Sequence, residues 1–324
     1  CIPPLPERIT MASNDCNLNL DVGYYIPTKK LKVLHIDEWA VEAVKHPNIK
    51  SCSLIDLEKD LASQGNFDAI LTKLTGLLVK HDDSKAQRKL QRVKDYIIAN
   101  PKTAQVDPIS SQKKTIARDE MEAIFAHLVT KSFDFVLIPK TVIVTKSGDY
   151  MSQLPKDFTF PAICKTLQAS GGMAAHEMGI IWRAEQLEKF EKPILCQEYV
   201  DHDATIFKVY VLGEESNIIT RVSFPNFTDD TTLSDKPIMF NSQDWKHELP
   251  AHLQTKIAGK AAEPSMEQVT KISNALSEGL GLTIFGYDLI TCAKTKKHAI
   301  IDINYFPDFS KVPNFHKKLT QLIV

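Results

Sequence analysis

Two apolar runs near the C-terminal end of the chain, Leu282–Ile290 and Ala299–Phe306, are separated by the polar link Cys292-Ala293-Lys294-Thr295-Lys296-Lys297. Runs of that length around a short polar link read as an antiparallel hairpin. The second run carries Asp302 and Asn304 two positions apart, and strand alternation sends both side chains to one face. If the hairpin closes about Thr295, Asp288 of the first run stands opposite Asp302, since each lies seven residues from 295. Directly opposed residues have Cβ atoms roughly 4.5–5.5 Å apart, and like charges there repel. Two readings stand. Two carboxylates and an amide make an all-oxygen site for a hard cation, Mg²⁺ above all, which is commonly shared with substrate phosphates. Alternatively Asp288 is an exposed strand residue and only Asp302 is buried, bonded to backbone.

The chain that leads to this hairpin is long enough, at 324 residues, for two or three domains. An N-terminal layer alternates strand and helix. Strands are expected at 21–26, 51–56 and 67–72, with a helix opened by Asp37 and another over 84–99 whose stripe is Leu90, Val93 and Ile97. That alternation predicts a small βαβ domain with a parallel sheet. Pro101 and Pro108 mark its exit. A second unit begins with a helix over 116–131, its stripe Met121, Ile124, Phe125 and Leu128, and runs through short strands at 135–138, 141–144, 160–166, 179–182 and 194–200. The third contains strands at 205–211 and 218–224, a polar link near 226–260, and a helix opened by the capping box Ser265…Gln268 and stopped at Gly279. The expected division is a flexible lead-in (1–20), an N-terminal α/β domain (21–110), a central α+β lobe (111–200) and a C-terminal α+β lobe (201–324).

Net charge is -1, so no global field favours nucleic acid or a membrane surface, and any basic site must be local. Six cysteines, with no C-x-x-C pair, suggest free thiols in a reducing compartment. No apolar run approaches the ~18 residues of a membrane span. A cytoplasmic protein, with the nucleus also open to it, is expected, and a monomer.

Local basic sites do occur beside strands. Lys165 lies on the otherwise apolar strand Pro161–Thr166 and precedes the small-residue loop Ala169-Ser170-Gly171-Gly172-Met173-Ala174-Ala175-His176. A buried lysine is costly unless paired, and one aimed at phosphate is paired in the liganded state. Lys208 stands mid-strand in Ile206-Phe207-Lys208-Val209-Tyr210, where a solvent-facing lysine is the commoner situation. Lys29, Lys30 and Lys73 follow N-terminal strands, at the edge where parallel sheets bind ligands, although each singly reads as a surface residue. There is no G-x-x-x-x-G-K-[ST] loop, G-x-G-x-x-G, H-R-D loop or G-x-S-x-G elbow. A phosphate site assembled from separate strands survives these exclusions.

Seven segments in order, Thr72-Lys73-Leu74-Thr75, Ile163-Cys164-Lys165-Thr166, His176-Glu177-Met178, Gln197-Glu198-Tyr199-Val200-Asp201-His202, Phe207–Glu214, Phe285-Gly286-Tyr287-Asp288 and Ile301–Pro307, resemble the inositol 1,3,4-trisphosphate 5/6-kinases, also called inositol-tetrakisphosphate 1-kinases. The likeness runs from Val22 to about Phe315. It implies an ATP-grasp architecture, an N-terminal βαβ domain with two α+β lobes clasping ATP, and transfer of the γ-phosphoryl of ATP to a hydroxyl of a soluble inositol polyphosphate. By the same resemblance Asp288, Asp302 and Asn304 match Mg²⁺ ligands. Lys165 and Arg118 match the cations on the nucleotide phosphates, Gln197, Glu198, Tyr199 and Val200 the hinge at the adenine, and Ser223 a further nucleotide contact. Lys30, Lys73, Gly171, His176, Lys208, Arg221, Asn304 and Asp308 match the inositol phosphate side, with Lys208 also near the transferring phosphoryl and His176 placed to orient the acceptor.

Two departures fall on the substrate side. The resemblance expects glycine where this chain has Asp308, and polar residues in the loop 170–175. Two other activities share parts of the pattern: an ATP-grasp carboxylate–amine ligase, and a non-catalytic inositol phosphate binder. A ligase needs one or two cations for its carboxylate, fewer than Lys30, Lys73, Lys208 and Arg221 together. A pure binder has no need of the three oxygen ligands.

Overall fold

The computed structural model describes residues 18–130, 133–169, 176–227, 236–242, 244–245 and 261–324. Strands β1 (Leu20–Tyr25), β2 (Ile49–Leu54), β3 (Ala69–Thr72) and β4 (Ala104–Val106) form a parallel sheet in the order β2-β1-β3-β4. All four residues of β3 are buried, as expected of a strand covered on both faces. Helix Ser84–Ala99 covers it, opened by Asp83, whose side chain accepts from the N–H groups of Lys85 and Ala86. Its buried stripe is Ala86, Leu90, Val93 and Tyr96. Ile97, expected in the stripe, is only half-buried, because Tyr96 turns inward to give its hydroxyl to the chain at Phe67, accepting from the N–H at 2.7 Å.

The region after β1 departs from expectation. Lys29 and Lys30 lie in a helix of their own, Thr28–Val33, and the next helix, Ile36–Ala43, is capped by His35 in the left-handed conformation (φ 50°). Asp37 is inside the first turn, where its carboxylate accepts from the Tyr24 hydroxyl at 3.3 Å. An acid two residues beyond the cap position still suits the positive end of a helix.

β5 (Thr141–Val144), β6 (Ala162–Thr166), β7 (Glu177–Ile181) and β8 (Ile194–Glu198) begin an antiparallel sheet, and β9 (Thr205–Leu212) and β10 (Glu215–Val222) begin another. β11 (Ile238–Asn241) then returns to pair with β7, inside the segment that reads as a polar link. β12 (Ile284–Thr291) and β13 (His298–Tyr305) complete the last sheet, giving the orders β11-β7-β6-β8-β5 and β10-β9-β12-β13. The segment 135–138 is not a strand. It docks irregularly on the start of β13, with the Leu137 N–H on the His298 carbonyl and the His298 N–H on the Phe135 carbonyl.

Helix Met266–Leu280 has the full Ser265–Gln268 capping box and buries Val269, Ile272, Leu276 and Leu280. It ends at Gly281 (φ 70°), two residues beyond the expected Gly279, because the left-handed cap is the position that requires glycine. Helix Phe315–Ile323 closes the chain onto the N-terminal domain, where the Trp39 indole N–H donates to Thr320 Oγ1 at 3.1 Å. Asp107 ties the two ends of the molecule together. Its carboxylate accepts from the N–H and hydroxyl of Thr283 and from the N–H of Ile284, which fixes where β12 starts. Among the described residues no helix is long and apolar enough to cross a membrane.

Candidate functional site

The hairpin of β12 and β13 places Asp288 directly opposite Asp302, as the sequence predicts, but for a different reason. The register at the turn pairs Thr291 with His298 and Leu289 with Ile300, so a regular ladder would set Asp288 against Ile301. A β-bulge at that point inserts one residue and restores the carboxylate pair. On its other side Asp288 faces Lys208 of β9, whose Nζ donates to Asp288 Oδ1 at 3.0 Å. Lys208, Asp288 and Asp302 therefore form one row across three antiparallel strands. Burial raises the Asp288 pKa, the Lys208 ammonium opposes the shift, and the Asp302 charge adds to it. Burial works against the Lys208 charge too, yet Asp288 and Asp302 outweigh it and raise its pKa. The Asn304 amide donates to Asp302 Oδ2 at 2.8 Å.

The bulge also links two sheets. Lys165 Nζ reaches from β6 to the carbonyl of Ile301 at 3.1 Å and to Gln197 Oε1 at 3.0 Å. The Gln197 amide donates in turn to Glu122 Oε1 and Thr141 Oγ1. Burial, then the neighbouring Arg118, lowers the Lys165 pKa to about 8, against the pull of Asp302, Glu122 and Asp288. Arg118, at the start of helix Arg118–Thr130, is itself buried and donates to the carbonyls of Thr166 and Gln168, so it is fixed beside β6.

Along the hinge the backbone is divided. Gln197 is a ladder residue between Thr141 and Ile163, and the N–H groups of Glu198 and Tyr199 donate to the carbonyls of Lys140 and Pro161. The Val200 carbonyl is held by His202 Nδ1 at 2.7 Å. A carbonyl only accepts, so Nδ1 carries the proton; burial keeps the ring neutral, and Nε2 then accepts from Ser223 Oγ at 2.7 Å. The Glu198 carbonyl and the Val200 N–H are left with no partner among the described residues.

The parallel sheet supplies the opposite wall. Lys73, just after β3, donates to the carbonyl of Tyr305 and lies 5.4 Å from the centre of its ring. The Tyr305 hydroxyl donates to the Thr72 carbonyl at 2.8 Å and accepts from the Asp107 N–H. Burial, with Lys30 adding like charge, lowers the Lys73 pKa to about 7. Lys30, whose pKa burial also lowers, stands near Asp308. Arg221 of β10 donates to the Tyr210 hydroxyl at 3.3 Å, and His176 contacts Ser242 Oγ at 3.2 Å.

One cleft of about 670 Å³ is lined by all of these: Lys30, Lys73, Arg118, Lys165, His176, Gln197, Glu198, Tyr199, Val200, Lys208, Arg221, Ser223, Asp288, Asp302, Asn304 and Asp308. Gly171 and the loop 170–175 lie outside the described residues. A wider groove of about 890 Å³ beside the C-terminal helix holds Lys45, Lys317 and His46 but a single carboxylate, Glu42. The paired acids and buried cations are in the smaller cleft. Sequence reasoning assigned no role to Glu122, Tyr305 or the His202 ring. Tyr305 is the one with a visible signal, a polar aromatic closing an apolar strand.

The family model described as the inositol 1,3,4-trisphosphate 5/6-kinase ATP-grasp domain matches residues 130–324, and its pre-ATP-grasp domain matches residues 21–111. The inositol-tetrakisphosphate 1-kinase of Danio rerio is 35% identical over 307 residues, covering 92% of this chain and 76% of that protein. The Xenopus laevis protein of the same name is 32% identical, again covering 92% and 76%. Among solved structures, a D-alanine–D-alanine ligase from Bacillus anthracis superposes with a TM-score of 0.55 at 13% identity, over 94% of this chain and 96% of that one. That likeness establishes the ATP-grasp fold alone. The two family matches together span nearly all the described residues, and the chain belongs to the inositol 1,3,4-trisphosphate 5/6-kinase family.

Proposed function

We propose that the chain is an ATP-dependent kinase that moves the γ-phosphoryl of ATP onto a free hydroxyl of a soluble inositol tris- or tetrakisphosphate. The observation that carries this reading is the Lys208–Asp288–Asp302 row, which faces the same cleft as the cations of the parallel-sheet edge. A carboxylate pair in a cleft whose described lining has six lysine and arginine side chains suits a donor and an acceptor that both bear phosphate.

The donor set fits a divalent cation. Asp288 and Asp302 are opposed acids, and the Asp288 pKa stays raised by burial and by Asp302 although Lys208 pulls against it; the Asn304 carbonyl oxygen brings a third hard donor. Asp288, Asp302 and Asn304 would hold Mg²⁺, which supplies charge neutralisation on the donor phosphates. Lys165 and Arg118 bind donor phosphate oxygens, and the Ile301 bulge and Gln197 keep Lys165 aimed. The Glu198 carbonyl and Val200 N–H meet the adenine edge, while Ser223, its proton given to His202, offers lone pairs to the nucleotide. Lys30, Lys73, Arg221 and His176 hold the acceptor's phosphates. Lys208 lies between the two groups and stabilises the charge of the phosphoryl in flight. Phosphoryl transfer asks little covalent chemistry of side chains, so positioning and charge neutralisation account for the catalysis. The enzyme acts as a monomer in the cytoplasm or nucleus.

Incubation with γ-labelled ATP, Mg²⁺ and a panel of inositol phosphates tests the reading. Label on an inositol phosphate supports it. ATP consumed only with a carboxylate and an amine would make the chain a ligase, and inositol phosphate bound without transfer would make it a binder.

A further inference from the structure

Among the described residues, four carboxylates line the cleft. Asp288 and Asp302 belong to the row with Lys208, and Glu198 is held at the hinge by the N–H and hydroxyl of Thr159 at 2.8 and 2.9 Å. Asp308 is left over. It stands on the acceptor side with Lys30, Lys73 and Arg221, where a pocket built only to collect phosphates has no use for an acid.

Asp308 is also firmly placed. It caps the turn Phe309–Lys311, its Oδ1 accepting from the Ser310 N–H at 3.0 Å. The turn is anchored by Phe309, fully buried against Tyr210 and stacked on Phe315 at 4.9 Å. Among the described residues no cation comes within 4.0 Å of the carboxylate, and the residue is exposed, so its outer oxygen remains available to a ligand. Burial would raise its pKa, but the Ser310 N–H, Lys30 and Arg221 outweigh that and lower it, so the group is ionised at neutral pH.

Resting on the kinase reading above, we propose that Asp308 is a specificity-determining residue that selects inositol polyphosphates presenting a free hydroxyl, not a phosphate, at the ring position beside Lys30 and Arg221. An ionised carboxylate has acceptors only. A ring hydroxyl donates to it, whereas a phosphate oxygen meets like charge with no proton to share. Lys30 and Arg221 take phosphates at the flanking positions, which turns the hydroxyl-bearing carbon toward Asp308. Selection of this kind comes from repelling the wrong substrate as much as from holding the right one.

The test compares kcat/KM for an inositol trisphosphate and an inositol tetrakisphosphate in the parent, D308N and D308E. Asn keeps an oxygen for the Ser310 N–H and removes the charge. D308N is expected to raise the tetrakisphosphate-to-trisphosphate ratio at least about tenfold, mainly through a lower KM for the tetrakisphosphate, while D308E keeps the parent ratio. Raising the salt narrows the difference in discrimination between the parent and D308N. A ratio in D308N within about twofold of the parent's overturns the inference. If D308N does not fold, a parent ratio that is insensitive to salt overturns it equally. A parent that phosphorylates no inositol phosphate at all overturns the kinase reading itself, a result distinct from an unchanged ratio.

Discussion

Lys165 and Ile301 meet across two sheets: the ammonium of one donates to the carbonyl of the other at 3.1 Å, at the bulge that also brings Asp302 opposite Asp288. A single irregularity in β13 thus sets both the carboxylate pair and the position of a buried cation. The end of the cleft that holds Lys165 and the carboxylate pair depends on it.

Lys165→Met is therefore expected to lower kcat/KM for ATP by about 2–4 kcal/mol of transition-state stabilisation, roughly 30- to 1000-fold. Burial holds the Lys165 pKa near 8, so the group is charged below that pH and neutral above it. In the parent, KM for ATP should rise as pH climbs through about 8, and in the variant that rise should be absent. Steady-state kinetics between neutral and alkaline pH checks both.

Lys73 carries the opposite balance of stability and function. Its folded pKa, about 7, lies below the ordinary lysine value of 10.5, so between those values the unfolded chain binds more protons and stability increases with pH. The cost of burying its charge is greatest below pH 7 and is relieved as pH approaches 10.5. Lys73→Met should raise Tm by a few degrees near pH 6 and by less at pH 9, while weakening the acceptor's KM. Calorimetry at the two pH values and substrate titration measure the two effects.

Gly286 lies between Tyr210 and Asn304 in the sheet, and a Cβ there would meet Pro307 Cγ at 2.9 Å and the Val209 carbonyl oxygen at 3.0 Å. Backbone does not yield as a side-chain tip does. Gly286→Ala should cost about 1–3 kcal/mol of stability, and activity should fall further because Asn304 shifts with its strand. Denaturant unfolding alongside the transfer assay separates the two losses.

Much of this site was legible in the sequence because its chemistry sits on regular strands. Alternation put Asp302 and Asn304 on one face, and the spacing to Asp288 gave the correct pairing, although the bulge at Ile301 rather than closure at Thr295 produces it. Lys165 was visible as a charge in an apolar run. The hinge was less legible: the backbone of Gln197 is spent in the ladder, and its side chain instead holds Lys165, a contact between residues 32 apart that no local pattern encodes. β11 was hidden because a four-residue edge strand in a polar stretch has too little apolar periodicity to register. The ties from Lys73 to Tyr305 and from Trp39 to Thr320 span 232 and 281 residues, and only the folded chain brings those partners together.

On the proposed reading, the β12–β13 carboxylates hold a cation on which phosphoryl transfer depends. Asp302 is half-buried at the cleft wall, so Asp302→Ala should leave circular dichroism and cooperative unfolding close to those of the parent. Mg²⁺-dependent transfer of label from γ-labelled ATP to inositol phosphate should fall below about one thousandth of the parent rate. A folded Asp302→Ala protein that retains most of the parent's ATP-dependent transfer would contradict the account.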